Sequence, residues 1–235
     1  MKSYVLLIAV SALLPSGLFA QGGKGTTRPP VFTPTFNAKN FPQSTNINNR
    51  YFPLLPGTTF VYEATQGPRE HDEFVVTHDI KEVLGADCVV VRDTASVNGE
   101  VIEDTFDYFA QDKHGNVWYM GEDTKQFKNG VVVGTAGTWL AGVDGAAPGF
   151  VMEGQPAEGD AYRQENSPSV AEDNAQVVSL TGSASLPYGS WQGNVLVTNE
   201  WSPLEPRSPR KRTTRLTWVW CARKPSKVGR VSPCS

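Results

Sequence analysis

Apolar residues recur at every second position in long stretches of this chain, and that spacing commits it to β-structure. Phe60, Tyr62 and Ala64 share one side of a run whose other side holds Val61 and Glu63. Phe74, Val76, His78 and Ile80 alternate with Val75, Thr77 and Asp79, and Ile102, Asp104, Phe106, Tyr108 and Ala110 form a third set. Successive side chains of a strand point to opposite faces, so this period suits a sheet. β-branched and aromatic residues dominate the runs, as strands favour. Asn98-Gly99 and Asn129-Gly130 mark two-residue hairpins, because both residues accept positive φ. Leu84-Gly85-Ala86-Asp87 and Asp112-Lys113-His114-Gly115-Asn116 mark further turns. Only Ser169 to Val177 offers a helical stretch. The expected fold is mainly β: a single antiparallel meander curled into a half-barrel or a two-layer sandwich, with at most one short helix.

Around this body the composition shifts three times. Met1 to Ala20 has a basic start at Lys2, an apolar run from Tyr4 to Leu14 and a small residue at Ala20, the pattern of a secretory signal peptide. The apolar run is too short for a membrane span, and no second one follows. The expected location is secreted or periplasmic. Residues 21–45 are rich in Pro, Gly, Thr and Asn without an apolar period, and read as a flexible linker or extended arm. Residues 46–206 make one β-domain. Of the 21 Lys and Arg, nine lie in residues 207–235, which hold none of the 24 Asp and Glu. Cys88 lies in an apolar run and reads as a small buried hydrophobe.

The basic tail reads as a nucleic-acid arm or a membrane-surface segment only with difficulty, since the acidic body would attract it and an exported protein meets little nucleic acid. Codon arithmetic offers a third reading. Tryptophan has a single codon, so Trp218 and Trp220 constrain the other frames. Read two bases later, synonymous codons for Arg210 to Ala222 spell Lys-Ala-Tyr-Tyr-Ala-Pro-Asp-Val-Gly-Leu-Val-Cys-Glu. The expectation is that residues 207–235 are frame-shifted and pack without regular pairing to the body.

Tyr51 to Glu63, Cys88 to Thr94, Glu103 to Asp112 and Gly115 to Tyr119 together resemble a family of secreted bacterial β-rich proteins without an assigned activity. The resemblance implies a closing strand of the form Tyr-Tyr-Ala-Pro-x-Val-Gly-Leu-Val after a segment like Ser202-Pro203-Leu204-Glu205-Pro206. That strand is present only in the shifted frame. At the level of fold alone, it is also similar to the curved sheets of lipoprotein carriers.

Chemistry-bearing residues are scattered. Glu103, Asp104, Asp107, Asp112, Glu122 and Asp123 gather around the central hairpin but lack the ligand spacing of a calcium loop, and suit a solvated strand face. Asp104 shares a side with Phe106 and Tyr108, so it needs a partner, and Arg92 or Arg163 would supply a structural ion pair. A catalytic reading would use Asp104, Asp107 and Glu122. His71, His78 and His114 have no metal-ligand spacing. Ser183, Ser185 and Ser190 lie in no nucleophile elbow. No cofactor or metal is expected, and no enzyme. Tyr62, Tyr108, Trp118, Tyr119 and Trp139 either fill the core or line a concave sheet face for an apolar or amphiphilic ligand. The alternative is a structural or protein-interaction module of the cell envelope.

Overall fold

The computed structural model describes residues 29–63, 68–186, 189–204 and 219–221. The signal-peptide reading and most of the basic tail lie outside them. The three alternating runs fall on β1 (Thr59–Glu63), β2 (Glu70–Val83) and β4 (Glu100–Gln111), although Ile80 and Ile102 are exposed, and β3 (Ala86–Val97) and β5 (Val117–Lys128) complete the meander. Each pairs antiparallel with the next. The turns between them fall at the predicted dipeptides. Leu84 and Gly85 (φ 53° and 80°), Asn98 and Gly99 (53° and 87°), and Asn129 and Gly130 (53° and 73°) all take the left-handed pair that two-residue hairpins need. β5 is the hub of the sheet. It also pairs with β6 (Val131–Gly134), β7 (Trp139–Leu140) and β8 (Ala147–Met152), and β8 carries β10 (Glu165–Asn166). The chain then crosses to a second sheet ordered β13-β12-β11-β9, with β9 (Ala161–Arg163), β11 (Asn174–Leu186), β12 (Gly189–Trp201) and β13 (Val219–Cys221). This sheet curls as an antiparallel half-barrel, and three register shifts between Val177 and Ala184 on β11 mark where its ladder bends.

The central strands are covered on both faces. On β3, Cys88 and Val90 belong to one apolar cluster, and Val89 and Val91 to another. On β4, Tyr108 and Phe109 divide in the same way. Part of this cover comes from a segment expected to be a flexible linker. Residues 29–45 instead dock against the body. Phe41 is buried and Phe36 packs beside it in the first cluster, while Ile47, Phe52 and Leu54 enter the second. Backbone polarity is satisfied along the way. The Lys113 and Gln111 amides donate to the carbonyls of Asn40 and Ser44, at 2.8 Å each. Asn49 donates through Nδ2 to the Gly115 and Glu153 carbonyls and accepts from the Tyr51 and Phe52 amides. Its aromatic and Asn side chains, not a period, hold this arm.

Two other expectations are corrected. Ser169 to Val177 forms no helix. Ser169 has φ 63°, Ser167 bridges to Ala171, and Asn174 opens β11. Ala175 and Val177 lie two apart and are buried on a strand that pairs with β9 and β12, and this burial outweighs local propensity. Among the described residues only Ala38–Asn40 is helical, as one 3-10 turn. Within the basic tail, Val219–Cys221 do pair, antiparallel, with Val195–Val197 of β12. Among the described residues these three cover part of β12, which runs from Gly189 to Trp201, and unpaired sheet edges are sticky. Replacing residues 210–222 by the shifted-frame segment is therefore expected to raise the melting temperature by about 5 °C or more. Equal melting temperatures, read by circular dichroism, would reject the frame-shift reading.

Candidate functional site

The aromatic residues divide into a packed set and a partly covered set. Trp118 is 3% exposed and sits edge-on to Phe150, Phe36 and Phe41 at 4.6, 5.8 and 5.7 Å between ring centroids. Its Nε1 donates to Asp112 Oδ2 at 3.0 Å. Asp112 accepts three further bonds, from the His114 and Asn116 amides and from Asn116 Nδ2, so it organises the β4–β5 turn. Tyr108 is buried beneath the Lys81 ammonium, 4.7 Å from the ring centroid. Trp139 is buried edge-on to Tyr119. Of the five aromatics read as core or concave-face residues, Tyr108, Trp118 and Trp139 are core, because close packing leaves them no free surface. Tyr62 differs. It is half-buried and packs with Ala184, Trp191 and Val197 of the second sheet around Val195. Phe60 and Phe74 lie beside it on paired strands, also half-buried, with ring centroids 6.1 Å apart.

The carboxylates divide by strand phase. Asp104 lies on one face and makes the expected ion pair with Arg92. Arg92 Nε donates to Asp104 Oδ1 at 2.7 Å and Nη2 to Oδ2 at 3.0 Å, and Thr94 adds a bond at 3.1 Å. The hydrogen bond from Arg92 holds the Asp104 carboxyl below its ordinary range. Arg163 is not part of this pair. It reaches Glu172 at 3.4 Å. The Arg92 side chain is 51% exposed, so solvent screens the pair. Asp104→Asn is expected to lower stability by about 1 kcal/mol, read as a shift in urea midpoint. A loss several times larger would mean that Arg92 is far less solvated than its exposure indicates.

On the opposite face, Asp107 and Glu122 are register partners across β4 and β5. Tyr119 Oη lies 2.5 Å from Asp107 Oδ1 and 2.6 Å from Glu122 Oε2. Burial pushes Asp107 up to about 8 and Glu122 up to about 7, although the Tyr119 bond opposes each shift. Asp93 continues the row on β3. Burial, then the neighbouring Asp72 carboxyl, raises its pKa. Burial likewise raises Glu165, next to Glu122 and Asp173. The solvated face expected for Asp107 and Glu122 is therefore wrong: both carboxyls are sequestered. Asp104, Asp107 and Glu122 do not converge, since Asp104 points the other way. Asp72, Asp93 and Glu165 escaped the reading of the sequence. Phase could have found Asp93, which stands two and four residues after Val91 and Val89, both fully buried. Among the described residues no group of three or more His, Cys, Asp or Glu is arranged to hold a metal ion.

Comparison of the chain with protein-family profiles, curated proteins and solved structures found no match.

Proposed function

We propose that this chain is an exported, non-catalytic β-domain that binds an apolar or amphiphilic molecule in the concavity of its curled sheets. The observation that carries this reading is the partly covered apolar set where β1 and β2 approach β11 and β12. Tyr62 on β1 and Ala184, Trp191 and Val197 on β11 and β12 pack around Val195 yet are not fully buried, while Phe60 and Phe74 border a separate cluster that takes in Leu196. Apolar side chains from two facing sheets, with polar groups at the margin, are what ligand cavities use. Native mass spectrometry of full-length protein recovered from an envelope extract tests it. A reproducible co-purifying lipid or other apolar mass is expected, and its consistent absence would count against the reading.

A second reading, an envelope interaction module, has its own support. Val131, Val132 and Val133 on β6 are 64%, 49% and 61% exposed. Three exposed apolar residues in a row on a short outer strand suit a protein partner. Val132→Asp would then abolish retention of an envelope protein while leaving any small-molecule mass in place.

A further inference from the structure

We propose that Asp107, Tyr119 and Glu122 form a proton-held latch, and that loss of its proton loosens the seam between β4–β5 and the segment carrying β10 and the turn into β11. Tyr119 Oη is within hydrogen-bond distance of two carboxyl groups, Asp107 at 2.5 Å and Glu122 at 2.6 Å. A phenol has one hydrogen and donates to one acceptor. The other short contact is a hydrogen bond only if that carboxyl is itself protonated and donates to the phenol oxygen. The folded arrangement therefore holds one proton more than an ionised pair would.

Apart from a hydrogen bond between Thr124 and Glu122, the surroundings offer only further acids in place of that proton. The charged neighbours are Asp72 from β2, Asp93 from β3, Glu103 from β4, Glu165 from β10 and Asp173 from the turn before β11, all of them acids. β7 contributes the neutral Trp139 ring against Tyr119. Among the described residues the ion pairs involve Glu63, Glu73, Asp104 and Glu172, and none of the latch or its neighbours. A buried carboxylate without a counter-charge is costly, so the group stays neutral instead. The raised pKa values of Asp107 and Glu122 agree with this count.

Both folded-state values lie above those of the unfolded chain. The stabilisation is complete below the ordinary carboxylate range, near pH 4, and is lost as pH rises through about 7 to 8. The seam is thus tight in mild acid and loosens above neutrality, opposite to common acid denaturation. Glu165 and Asn166 respond most, because two residues of strand hold them to Pro148 and Ala147.

Thermal unfolding of the full chain at about pH 5 and about pH 8.5 tests the latch. The melting temperature is expected to fall by about 5 °C or more between the two. Glu122→Gln, whose amide donates without titrating, should at least halve that fall while keeping the melting temperature near pH 5 within a few degrees. Asp107→Asn should act in the same direction, and Asp104→Asn, on the other face, should leave the fall unchanged. A melting temperature that is level or rises from about pH 5 to about pH 8.5 would overturn the proposal. So would a fall of equal size in both latch variants. Should one variant fail to fold, the other decides, because Asp93 and Glu165 also contribute to the wild-type fall.

Discussion

Gly149→Val is expected to lower the melting temperature by about 10 °C or more, a loss of about 4 kcal/mol. Gly149 is buried on β8, where the chain passes from the first sheet to the second. A Cβ at this position would stand 2.5 Å from the Arg163 carbonyl oxygen and closer still to that of Gln164. These are backbone atoms held in place. The Arg163 amide donates to the Phe32 carbonyl, and the Gln164 amide to that of Asp173. Relief of the clash would break the crossing between β8, β9 and the N-terminal arm together, so the strain has no inexpensive outlet. Thermal circular dichroism checks it. A variant melting within a few degrees of the wild type would show that β8 and β9 do not approach as described.

Trp118→Ala is expected to cost about 3–5 kcal/mol in urea unfolding, while Trp118→Phe costs roughly a third of that. The alanine variant removes a ring packed by Phe36, Phe41 and Phe150 and leaves a cavity. Phenylalanine keeps most of that packing and loses the bond to Asp112, which retains its donors from His114 and Asn116. The pair separates the two roles open to this residue. A wall of a ligand cavity could be truncated with little effect on stability. A core ring could not.

The parts of this molecule legible in its sequence are those that depend on local order. Alternation around Phe74 and Phe106 and the Asn-Gly dipeptides placed β2 to β6, because side-chain period and turn geometry are properties of neighbouring residues. Features created by distant contacts were not legible. Phe36 and Phe41 stand in a Pro- and Asn-rich stretch with no period, and become core residues only because Trp118 lies under them. Val177 belongs to a plausible helical window until β9 and β12 claim it. The acidic row was misjudged for a related reason. Asp107 and Glu122 look like surface carboxylates one at a time. Only register pairing across β4 and β5 puts them on either side of Tyr119. The Arg92–Asp104 pair was legible because its two residues are opposed, with an offset, on adjacent strands of one hairpin.

Photoaffinity labelling tests the proposed binding role most directly. The full-length protein would be incubated with a diazirine fatty acid, irradiated, digested and mapped by mass spectrometry. Saturable labelling concentrated on Thr59–Glu63 and Gly189–Trp201, and competed by unlabelled fatty acid, is the predicted result. Labelling that does not saturate, or that gathers on Val131–Gly134, would contradict a ligand held between the sheets.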